Sequence, residues 1–326
     1  MQSLDISVIS QSARWINDQS IWLCTVLSTF GSSPRPPGTL MVINRDGHFC
    51  GSLSGGCIED DFIQRIRDGD FRQPSQVVRY GDGGLTPDRA LPCGGVLDIL
   101  IEYLAPTAAN QAYIAGIGQS LNRHFALKKR ITPPAACHSL TQETWRSSTI
   151  VERDTSEIVI TLACAPRIII AGLSAVAVFC AEFASGLGFE TVICEPREDI
   201  LENFRGQISG SPILETVFPA RYLEQHGCHA NTAIVALTHD PRMDDLTMME
   251  AVNTDAFYIG VMGSLRNSQN RIRRLETTGG MTAEELTRIH APIGIDIGSK
   301  TPAEIALAVM ADIVRIKNQR TVSVSR

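Results

Sequence analysis

The feature that most constrains this fold is a βαβ pattern at the start of the second half of the chain. The run Ile168–Ala171 is apolar enough to be a buried strand, and Gly172 after it allows a tight turn. Ala175–Leu187 then has the apolar spacing of a helix, and Thr191–Cys194 is typical of a second strand, with Glu195 directly after it. Strands and helices continue to alternate beyond this unit. The pattern predicts a Rossmann-like, doubly wound domain with a mostly parallel sheet and helices on both faces.

Length and pattern together predict an α/β protein of two domains. A chain of 326 residues is longer than one hydrophobic core usually serves, and the pattern changes near Pro166. We therefore expect an N-terminal mixed α/β domain over residues 1–165 and the Rossmann-like domain over residues 166–326. The second part of the first domain has a weak pattern, which predicts only a helix over Ala112–Arg123 and a strand over Ile158–Ala163.

Charge and composition exclude some classes of function. The net charge is −6 and the isoelectric point is near 5.7, which argues against nucleic-acid binding because that needs a basic surface. The N-terminus shows no basic segment followed by an apolar stretch, and no apolar run is long enough to span a bilayer. The nine cysteines form no CxxC pair. We therefore expect a cytoplasmic protein with reduced thiols and no membrane partner.

Two of the cysteines are flanked by pairs of glycines, in the motifs Gly-Gly-Cys57 and Cys93-Gly-Gly. Glycines let the backbone bend and let a ligand approach, so both thiols are predicted on accessible loops. Two accessible thiols in one domain indicate chemistry with a soft atom, sulfur or a metal. Cys57 is also predicted in the first turn of a helix over Cys57–Arg67, where the helix dipole lowers the pKa of a thiol. The alternatives are a packed structural thiol and a Cys57–Cys93 disulfide.

Further binding residues are predicted around these motifs. Arg35 lies in a loop with three prolines and is a candidate contact for a phosphate or a pterin, because a stiff loop holds it at low entropic cost. The alternative for Arg35 is a solvated side chain. The backbone N–H groups of Ser54, Gly55 and Gly56 are candidate donors to an anion, as in other glycine-rich loops before a helix. Gly94 adjoins the second cysteine and is predicted to contact the same ligand.

In the second domain, polar residues follow two predicted strand ends, where ligands of open α/β sheets usually bind. His239 and Asp240 follow the first of these strands, and the alternative for Asp240 is a helix cap. Gly263, Ser264 and Arg266 follow the next strand, and Arg266 is a candidate phosphate contact. Three arginines on the helix after it are predicted to form a solvated face, namely Arg271, Arg273 and Arg274.

Six segments have distinctive combinations of glycine, proline, cysteine and charged residues. They are STFGSSPRPPG at 28–38, GSLSGGCIE at 51–59, LPCGG at 91–95, LTHDP at 237–241, YIGVMGS at 258–264 and HAPIGIDIG at 290–298. In these segments the chain resembles the XdhC/CoxI family of xanthine dehydrogenase accessory factors. The resemblance spans both domains, from about Ile21 to Lys317.

The resemblance implies a function. Proteins of this family are chaperones that bind the molybdenum cofactor, protect it, support its sulfuration and insert it into xanthine dehydrogenase or aldehyde oxidoreductase apoenzymes. We therefore expect a carrier chaperone without catalytic residues, whose cargo is molybdopterin or molybdopterin cytosine dinucleotide. Expected partners are the large subunit of such an apo-molybdoenzyme, a sulfur-donating cysteine desulfurase or a cofactor nucleotidyltransferase, and a second copy of the chain in a homodimer.

The resemblance also assigns roles to residues. Cys57 and Cys93 are expected to contact the molybdenum or its sulfur. Gly172, His239 and Gly263 are expected near the phosphate or nucleotide arm of the cofactor.

The chain departs from the family at the Rossmann turn, where Gly-Leu-Ser-Ala-Val-Ala at 172–177 replaces the family's Gly-Ala-Gly-His-Val-Ala. Ser174 stands in place of the glycine that lets the backbone approach a pyrophosphate, whereas Glu195 remains where an acidic residue would meet a ribose. We expect weaker or altered dinucleotide binding as a result. Two rival functions are an NAD(P)-dependent oxidoreductase and an interaction protein that stabilises an apoenzyme without a ligand.

Overall fold

The fold is that of a computed structural model, which describes residues 4–30, 35–56, 58–85, 95–121, 125–144, 149–238 and 240–324. The chain forms two compact units, Leu4–Cys164 and Ala165–Arg326. Each unit has its own buried apolar clusters, so each is held together by its own sheets and helices.

The first unit is a mixed α/β structure. Its elements are α1 (Leu4–Trp15), β1 (Ile21–Phe30), β2 (Leu40–Asn44), β3 (Phe49–Gly51), α2 (Glu59–Asp68), β4 (Ser75–Tyr80), β5 (Val96–Leu104), α3 (Ala108–Leu121), β6 (Ala126–Ile131), β7 (Ser139–Glu143), β8 (Ile150–Arg153) and β9 (Ile158–Leu162). A larger sheet has the strand order β3-β2-β1-β5-β4, and a smaller sheet has the order β7-β6-β9-β8. All neighbouring strands in both sheets are antiparallel.

The alternation of side chains along β1 explains how the larger sheet is covered. Trp22 and Cys24 lie in the buried cluster that includes α2, whereas Leu23 and Leu27 lie in the cluster formed with α1, α3 and the smaller sheet. Residues at even and odd positions of a strand point to opposite faces, and both faces of β1 are buried. The strand is therefore apolar on both sides, as its sequence indicates.

The smaller sheet is largely absent from the sequence-based prediction, which contains only its last strand, β9. Strands β7 and β8 are polar and partly exposed, so they lack the apolar alternation that marks a half-buried strand. Strand β6 carries the consecutive cations Lys128, Lys129 and Arg130, which weaken the same signal.

The reason that Lys129 tolerates a core position is a buried hydrogen-bonded network. Its ammonium lies 2.6 Å from a carboxylate oxygen of Glu102 in β5, and both side chains are almost fully buried. The hydroxyl of Tyr113 in α3 donates to the other oxygen of Glu102 at 2.7 Å. The ion pair thus links the larger sheet, the smaller sheet and a helix, and each charge is compensated by its partner.

The second unit is a Rossmann-like domain, as the sequence predicts. Its elements are β10 (Arg167–Ala171), α4 (Ala175–Gly186), β11 (Glu190–Cys194), α5 (Glu198–Arg205), β12 (Ile213–Glu215), α6 (Pro219–His226), β13 (Thr232–Ala236), α7 (Pro241–Ala251), β14 (Tyr258–Val261), α8 (Leu265–Thr277), α9 (Ala283–Thr287), β15 (Ile289–His290) and α10 (Pro302–Val324). The sheet is parallel, with the order β12-β11-β10-β13-β14-β15. Strand order therefore reverses between β10 and β13, the place where doubly wound sheets open a crevice.

The last helix, α10, begins as its sequence indicates. The N–H group of Thr301 donates to the carboxylate of Glu304 at 2.9 Å, and the N–H group of Glu304 donates to the Thr301 hydroxyl at 3.3 Å. This reciprocal pair is a capping box, and Pro302 occupies the first helical position. Among the described residues, no helix has both the length and the apolar character required to cross a bilayer.

The buried ion pair generates a prediction about stability. Substituting Lys129→Met leaves Glu102 buried without its cation, and we expect the first unit to lose about 3–5 kcal/mol of unfolding free energy. Urea unfolding followed by tryptophan fluorescence reports on this unit, because Trp15, Trp22 and Trp145 all belong to it.

The neighbouring lysine provides a matched control. Lys128 pairs with Glu143 at 3.1 Å in a partly exposed position, so Lys128→Met is expected to cost less than about 1 kcal/mol. The double substitution of Glu102→Gln with Lys129→Met should recover part of the loss. Equal stability of the Lys129→Met and Lys128→Met proteins would contradict the proposed role of the buried ion pair.

Candidate functional site

Three loops of the first unit leave the same edge of the larger sheet. Because its neighbouring strands are antiparallel, the ends of β1, β3 and β4 and the starts of β2 and β5 lie at one edge. The connections from β1 to β2, from β3 to α2 and from β4 to β5 contain Arg35, Cys57 and Cys93, respectively. The topology therefore places the starts of three loops that are far apart in sequence at the same edge of the sheet, two of them after its outermost strands, β3 and β4. Cys57, Cys93 and Gly94 themselves lie outside the described residues.

The loop from β3 to α2 is organised by the buried carboxylate of Glu59. It accepts hydrogen bonds from the hydroxyl groups of Ser52 and Ser54 at 2.7 and 2.6 Å. Four backbone N–H groups also donate to it at 2.9–3.2 Å, those of Leu53, Ser54, Gly56 and Ile58. Gly55 is the other residue of this loop predicted to donate to an anion. Its N–H group donates to the Ser52 hydroxyl at 2.9 Å.

The charge state of Glu59 follows from these contacts. Burial raises the pKa of its carboxyl group, but the hydrogen bonds from Ser54 and Ser52 outweigh burial and lower the pKa to about 2. The loop is therefore built around a permanent negative charge. The N–H groups of Ser54, Gly55 and Gly56 are already used within the protein, and their contact with a ligand stays a prediction.

Helix α2 begins at Glu59, two residues later than the sequence predicts, with Ile58 as its N-cap. Ile58 has no capping side chain, and its N–H group donates to the Ser54 hydroxyl at 3.1 Å and to Glu59. Gly55 and Gly56 have φ values of +86° and +113°, a region that favours glycine. Both glycines are exposed, so the chain turns at the surface just before Cys57.

Arg35 is half-buried in the described part of the loop from β1 to β2. It lies close enough to Asp5 of α1 to affect its ionisation. Burial raises the pKa of Asp5 to about 6, while a hydrogen bond from the Leu40 N–H group and the charge of Arg35 oppose the rise. Arg35 therefore faces an acidic group of its own chain, and its contact with a phosphate or a pterin stays a prediction.

In the second unit, the altered glycine turn is closed by its own side chains. Gly172 has a φ value of +78°, and a side chain there would collide with Thr238. The buried hydroxyl of Ser174 caps helix α4 by accepting from the Ala177 N–H group at 3.2 Å. The same hydroxyl donates to the carbonyl oxygen of Leu237 at 2.7 Å. The residue that replaces the family glycine thus ties α4 to the segment after β13.

Glu195 is likewise engaged within the protein. Its fully buried carboxylate accepts from the Leu173 N–H group at 2.9 Å and from two guanidinium nitrogens of Arg197, each at 2.8 Å. Burial raises the pKa of Glu195, but the hydrogen bonds from Arg197 and the Leu173 amide bring it below its usual value. A ribose or pyrophosphate at this turn would compete with Arg197 and Ser174. The ligand contacts of Gly172, Ser174 and Glu195 stay predictions.

The second unit contains a cavity of about 810 Å³ beyond the ends of β13, β14 and β15. Its lining comes from three segments that follow these strands, together with residues of α7, α8 and α10. The lining residues are Thr238, Pro241, Asp244, Met262, Gly263, Ser264, Leu265, Asn267, Arg271, Pro292, Ile293, Gly294, Ile295, Asp296, Ser299 and Ile305. A cavity of this volume at the carboxyl ends of parallel strands has the size and position of a small-molecule site.

The wall formed after β15 is held by tight packing. A side-chain Cβ on Gly260 would lie 2.6 Å from Ile293, and Gly294 adopts a φ value of +87° against the backbone of α10. The Gly294 N–H group donates to the Tyr258 hydroxyl, which itself donates to the buried Asp312 of α10 at 2.9 Å. The wall is therefore a preformed part of the domain.

A buried ionic network lies at the cavity, and the sequence analysis missed it. Arg271 of α8 donates to Asp244 at 2.8 Å, to Asp245 at 2.9 Å and to the Met262 carbonyl at 2.8 Å. The prediction that Arg271 is solvated is wrong, since only 6% of it is exposed; Arg273 and Arg274 are exposed as predicted. Burial raises the pKa of Asp244 to about 6, against the opposing effects of Thr238 and Arg271. The signal available in the sequence was the polar face that recurs along α8. Which carboxylates of α7 its arginine binds could be known only from the fold.

Only some of the other predicted residues of the second unit line the cavity. Gly263 and Ser264 line the cavity, whereas Arg266 is exposed on α8 and is not part of the lining. Asp240 is the N-cap of α7 and accepts from the N–H groups of Arg242 and Met243, so its capping alternative is the one the structure shows. His239 lies outside the described residues.

The described cysteines are all free, and they are Cys24, Cys50, Cys137, Cys164, Cys180, Cys194 and Cys228. Burial raises the pKa of the Cys180 thiol and, with the charge of Glu215, that of Cys194, so neither is a reactive thiolate. Within the described ranges, no three His, Cys, Asp or Glu side chains are grouped so as to hold a metal ion. The candidates for soft chemistry therefore remain Cys57 and Cys93.

Two family models match the chain. The model described as the XdhC and CoxI family matches residues 15–81, and the model described as the XdhC Rossmann domain matches residues 168–313. The chain belongs to the XdhC and CoxI family. The first match includes the Glu59 loop of this XdhC/CoxI protein, and the second includes both the altered turn and all the lining residues of the cavity; Cys93 lies outside both matches.

Similar proteins cover most of this XdhC/CoxI chain. The molybdenum cofactor insertion chaperone PaoD of Escherichia coli K12 is 25% identical over 299 residues, which are 90% of this chain and 83% of PaoD. A probable xanthine dehydrogenase subunit of Bacillus subtilis 168 is 23% identical over 319 residues, covering 91% of this chain and 93% of that protein. The crystal structure of a xanthine dehydrogenase from Bacillus halodurans has a TM-score of 0.74 at 20% identity, covering 98% of this chain and 97% of its own. That likeness shows a shared fold.

The Glu59 loop of this XdhC/CoxI protein generates a prediction about pH. The carboxyl group has a folded pKa of about 2 against an ordinary value of 4.5, so its contribution to stability is present above pH 4.5 and is lost as the pH falls toward 2. We expect Glu59→Gln to lower the unfolding free energy at pH 7 by about 3 kcal/mol. The difference from wild type should shrink below pH 4.5, as measured by urea unfolding at several pH values.

Glu152 is exposed on β8 and provides the control. Glu152→Gln should leave stability nearly unchanged across the same pH range. A Glu59→Gln protein as stable as wild type at pH 7 would show that the carboxylate does not organise the loop.

Proposed function

We propose that this protein is a chaperone that carries the molybdenum cofactor and inserts it into an apoenzyme of the xanthine dehydrogenase type. The family match and the likeness to the insertion chaperone PaoD support a role in cofactor insertion. The observation that carries the proposal is that the loops containing Arg35, Cys57 and Cys93 all leave the larger sheet at the same edge. This shared edge supports the proposal that two thiols and a cation from separate motifs bind one ligand.

The chemistry of these groups suits the cargo. Thiolates are soft ligands that match molybdenum and sulfur, whereas carboxylates and amides do not. Exposed glycines before Cys57 leave room for a bulky ligand to approach the backbone. The permanent charge of Glu59 fixes the shape of this loop before any cargo arrives, so little ordering is required on binding.

We propose that the protein protects the carried cofactor, as molybdopterin or as the cytosine dinucleotide form, and presents it for sulfuration by a donor such as a cysteine desulfurase. A cofactor nucleotidyltransferase is a further expected partner. Transfer to the large subunit of the recipient enzyme requires docking that weakens the thiol contacts, and a homodimer would match a recipient that is itself a symmetric assembly.

The rival function, an NAD(P)-dependent oxidoreductase, is disfavoured by contacts in the glycine turn. A dinucleotide pyrophosphate needs the space beside the start of α4 that Ser174 occupies, and its ribose needs the carboxylate that Arg197 binds. These contacts favour a carrier over a redox enzyme.

The proposed role of the thiols is tested by retention of molybdenum. The full chain is incubated anaerobically with released molybdenum cofactor, desalted and analysed for metal by mass spectrometry. We expect Cys57→Ala to retain about tenfold less molybdenum than wild type. Loss of the thiol contact should weaken binding by about 1.4 kcal/mol, which corresponds to tenfold faster dissociation. Cys93→Ala is expected to reduce retention as well.

Cys228 lies half-buried in the second unit, so Cys228→Ala serves as the control and should retain molybdenum like wild type. Equal retention by wild type and Cys57→Ala would remove the thiols from the proposal.

A titration with NAD(H) and NADP(H), followed by fluorescence, tests the rival function. Because Ser174 and Arg197 occupy the turn, we expect dissociation constants above about 1 mM for the wild-type protein. Micromolar binding together with hydride transfer to a carbonyl substrate would establish the oxidoreductase instead.

A further inference from the structure

The cavity beyond β13, β14 and β15 has the size of a small-molecule site, and the proposed function gives it no role. Seven of its sixteen lining residues are apolar, namely Pro241, Met262, Leu265, Pro292, Ile293, Ile295 and Ile305. Leu265 is 65% exposed and Ile295 is 36% exposed, although large aliphatic side chains favour burial. A flat ring placed against these two side chains would remove apolar surface from water on both partners.

The charged groups of the cavity restrict which substituents a bound ring can have. Arg271 is the one cation among the described lining residues, and its N–H groups already bind Asp244, Asp245 and the Met262 carbonyl. The lining also contains the carboxylates of Asp244 and Asp296. Because the cation is compensated and the carboxylates are present, the cavity disfavours a phosphate and favours an uncharged group with N–H donors.

Asp296 is the acceptor available to such a group. It is exposed at the cavity, and its Oδ1 atom accepts one hydrogen bond, from the Gly298 N–H group at 3.0 Å. An ionised carboxylate has acceptor capacity for several donors, so one such bond leaves capacity for a ligand. Asn267, Ser264 and Ser299 add amide and hydroxyl groups to the same lining. Aliphatic faces with a carboxylate at the edge are suited to a planar heterocycle that bears amino groups.

We propose that this cavity binds the aminopyrimidinone ring of the carried cofactor, with the ring against Leu265 and Ile295 and its amino group donating to Asp296. The inference rests on the proposed function, since the cofactor supplies the ring. An aminopyrimidinone occurs both in a pterin and in cytosine, so the same site chemistry serves either part of the cargo. The proposed ring contacts, Leu265, Ile295 and Asp296, are not groups of the altered turn at Gly172, whose polar groups bind other groups of the protein.

Two probes without molybdenum separate the sources of the ring. The full chain is titrated with 6-hydroxymethylpterin, followed by pterin fluorescence, and with cytidine, followed by calorimetry. Saturable binding of the pterin assigns the site to the pterin part, and tighter binding of cytidine assigns it to the nucleotide part. Absence of saturable binding of both probes up to millimolar concentration overturns the inference.

Variants of the cavity test its location. Ile295→Trp fills the mouth and should weaken binding of the preferred probe at least tenfold. Asp296→Asn keeps the size of the side chain and an acceptor for Gly298 but removes the charge, and it should weaken binding about tenfold. Leu307 is 53% exposed on α10 and is not a lining residue, so Leu307→Trp should bind like wild type. Unchanged binding by both cavity variants overturns the inference.

Molybdenum retention measured on the same preparations keeps this inference distinct from the chaperone function. Cys57→Ala should bind the ring probes like wild type, because the probes contain no metal. Retained molybdenum together with a failure of both probes to bind overturns the ring site and leaves the chaperone role intact. Probe binding that depends on Ile295 and Asp296, without molybdenum retention, supports the ring site and contradicts the chaperone role.

Discussion

Antiparallel pairing of β1 with both of its neighbours is the constraint on which the first unit depends. It runs over almost the whole of β1 against β5 and over Ile21–Thr25 against β2. Since strand direction alternates across the sheet, β1, β3 and β4 all end at the same edge, and the three motif loops begin there. A parallel arrangement of the same strands would have required crossover connections and would have separated these loops.

Buried carboxylates perform a second structural task in both units. Glu59 collects the N–H groups of one loop, Glu195 binds the glycine turn through Leu173 and Arg197, and Asp244 joins α7 to α8 through Arg271. In each case a desolvated charge is stabilised by several donors, which makes local geometry specific. The acidic groups therefore hold the loop before α2, the glycine turn and the junction of α7 with α8 in one local geometry.

The second unit retains the Rossmann topology, but its glycine turn is closed by its own side chains. Strand order reverses between β10 and β13 as in dinucleotide-binding domains, yet Ser174 closes the turn that normally holds a pyrophosphate. The open space lies beyond β13, β14 and β15, where the 290–298 motif forms a wall held by Gly260, Gly294 and Tyr258. The same topology can bind a different ligand when its cavity lies in a different place.

The amino-acid sequence by itself determined the elements with strong local signals. These include the buried strands β10 and β11, the helix α4 between them and the turn at Gly172, because each depends on residues within a few positions of one another. It also identified the family through short motifs. Only the tertiary structure decided that β6 is a strand despite its lysines, that Arg271 is buried, and that Glu59 consumes the N–H groups of its loop. The first two depend on partners distant in the chain, Glu102 and Asp244, and the third on a fold of the loop, and local sequence patterns contain no information about such pairings.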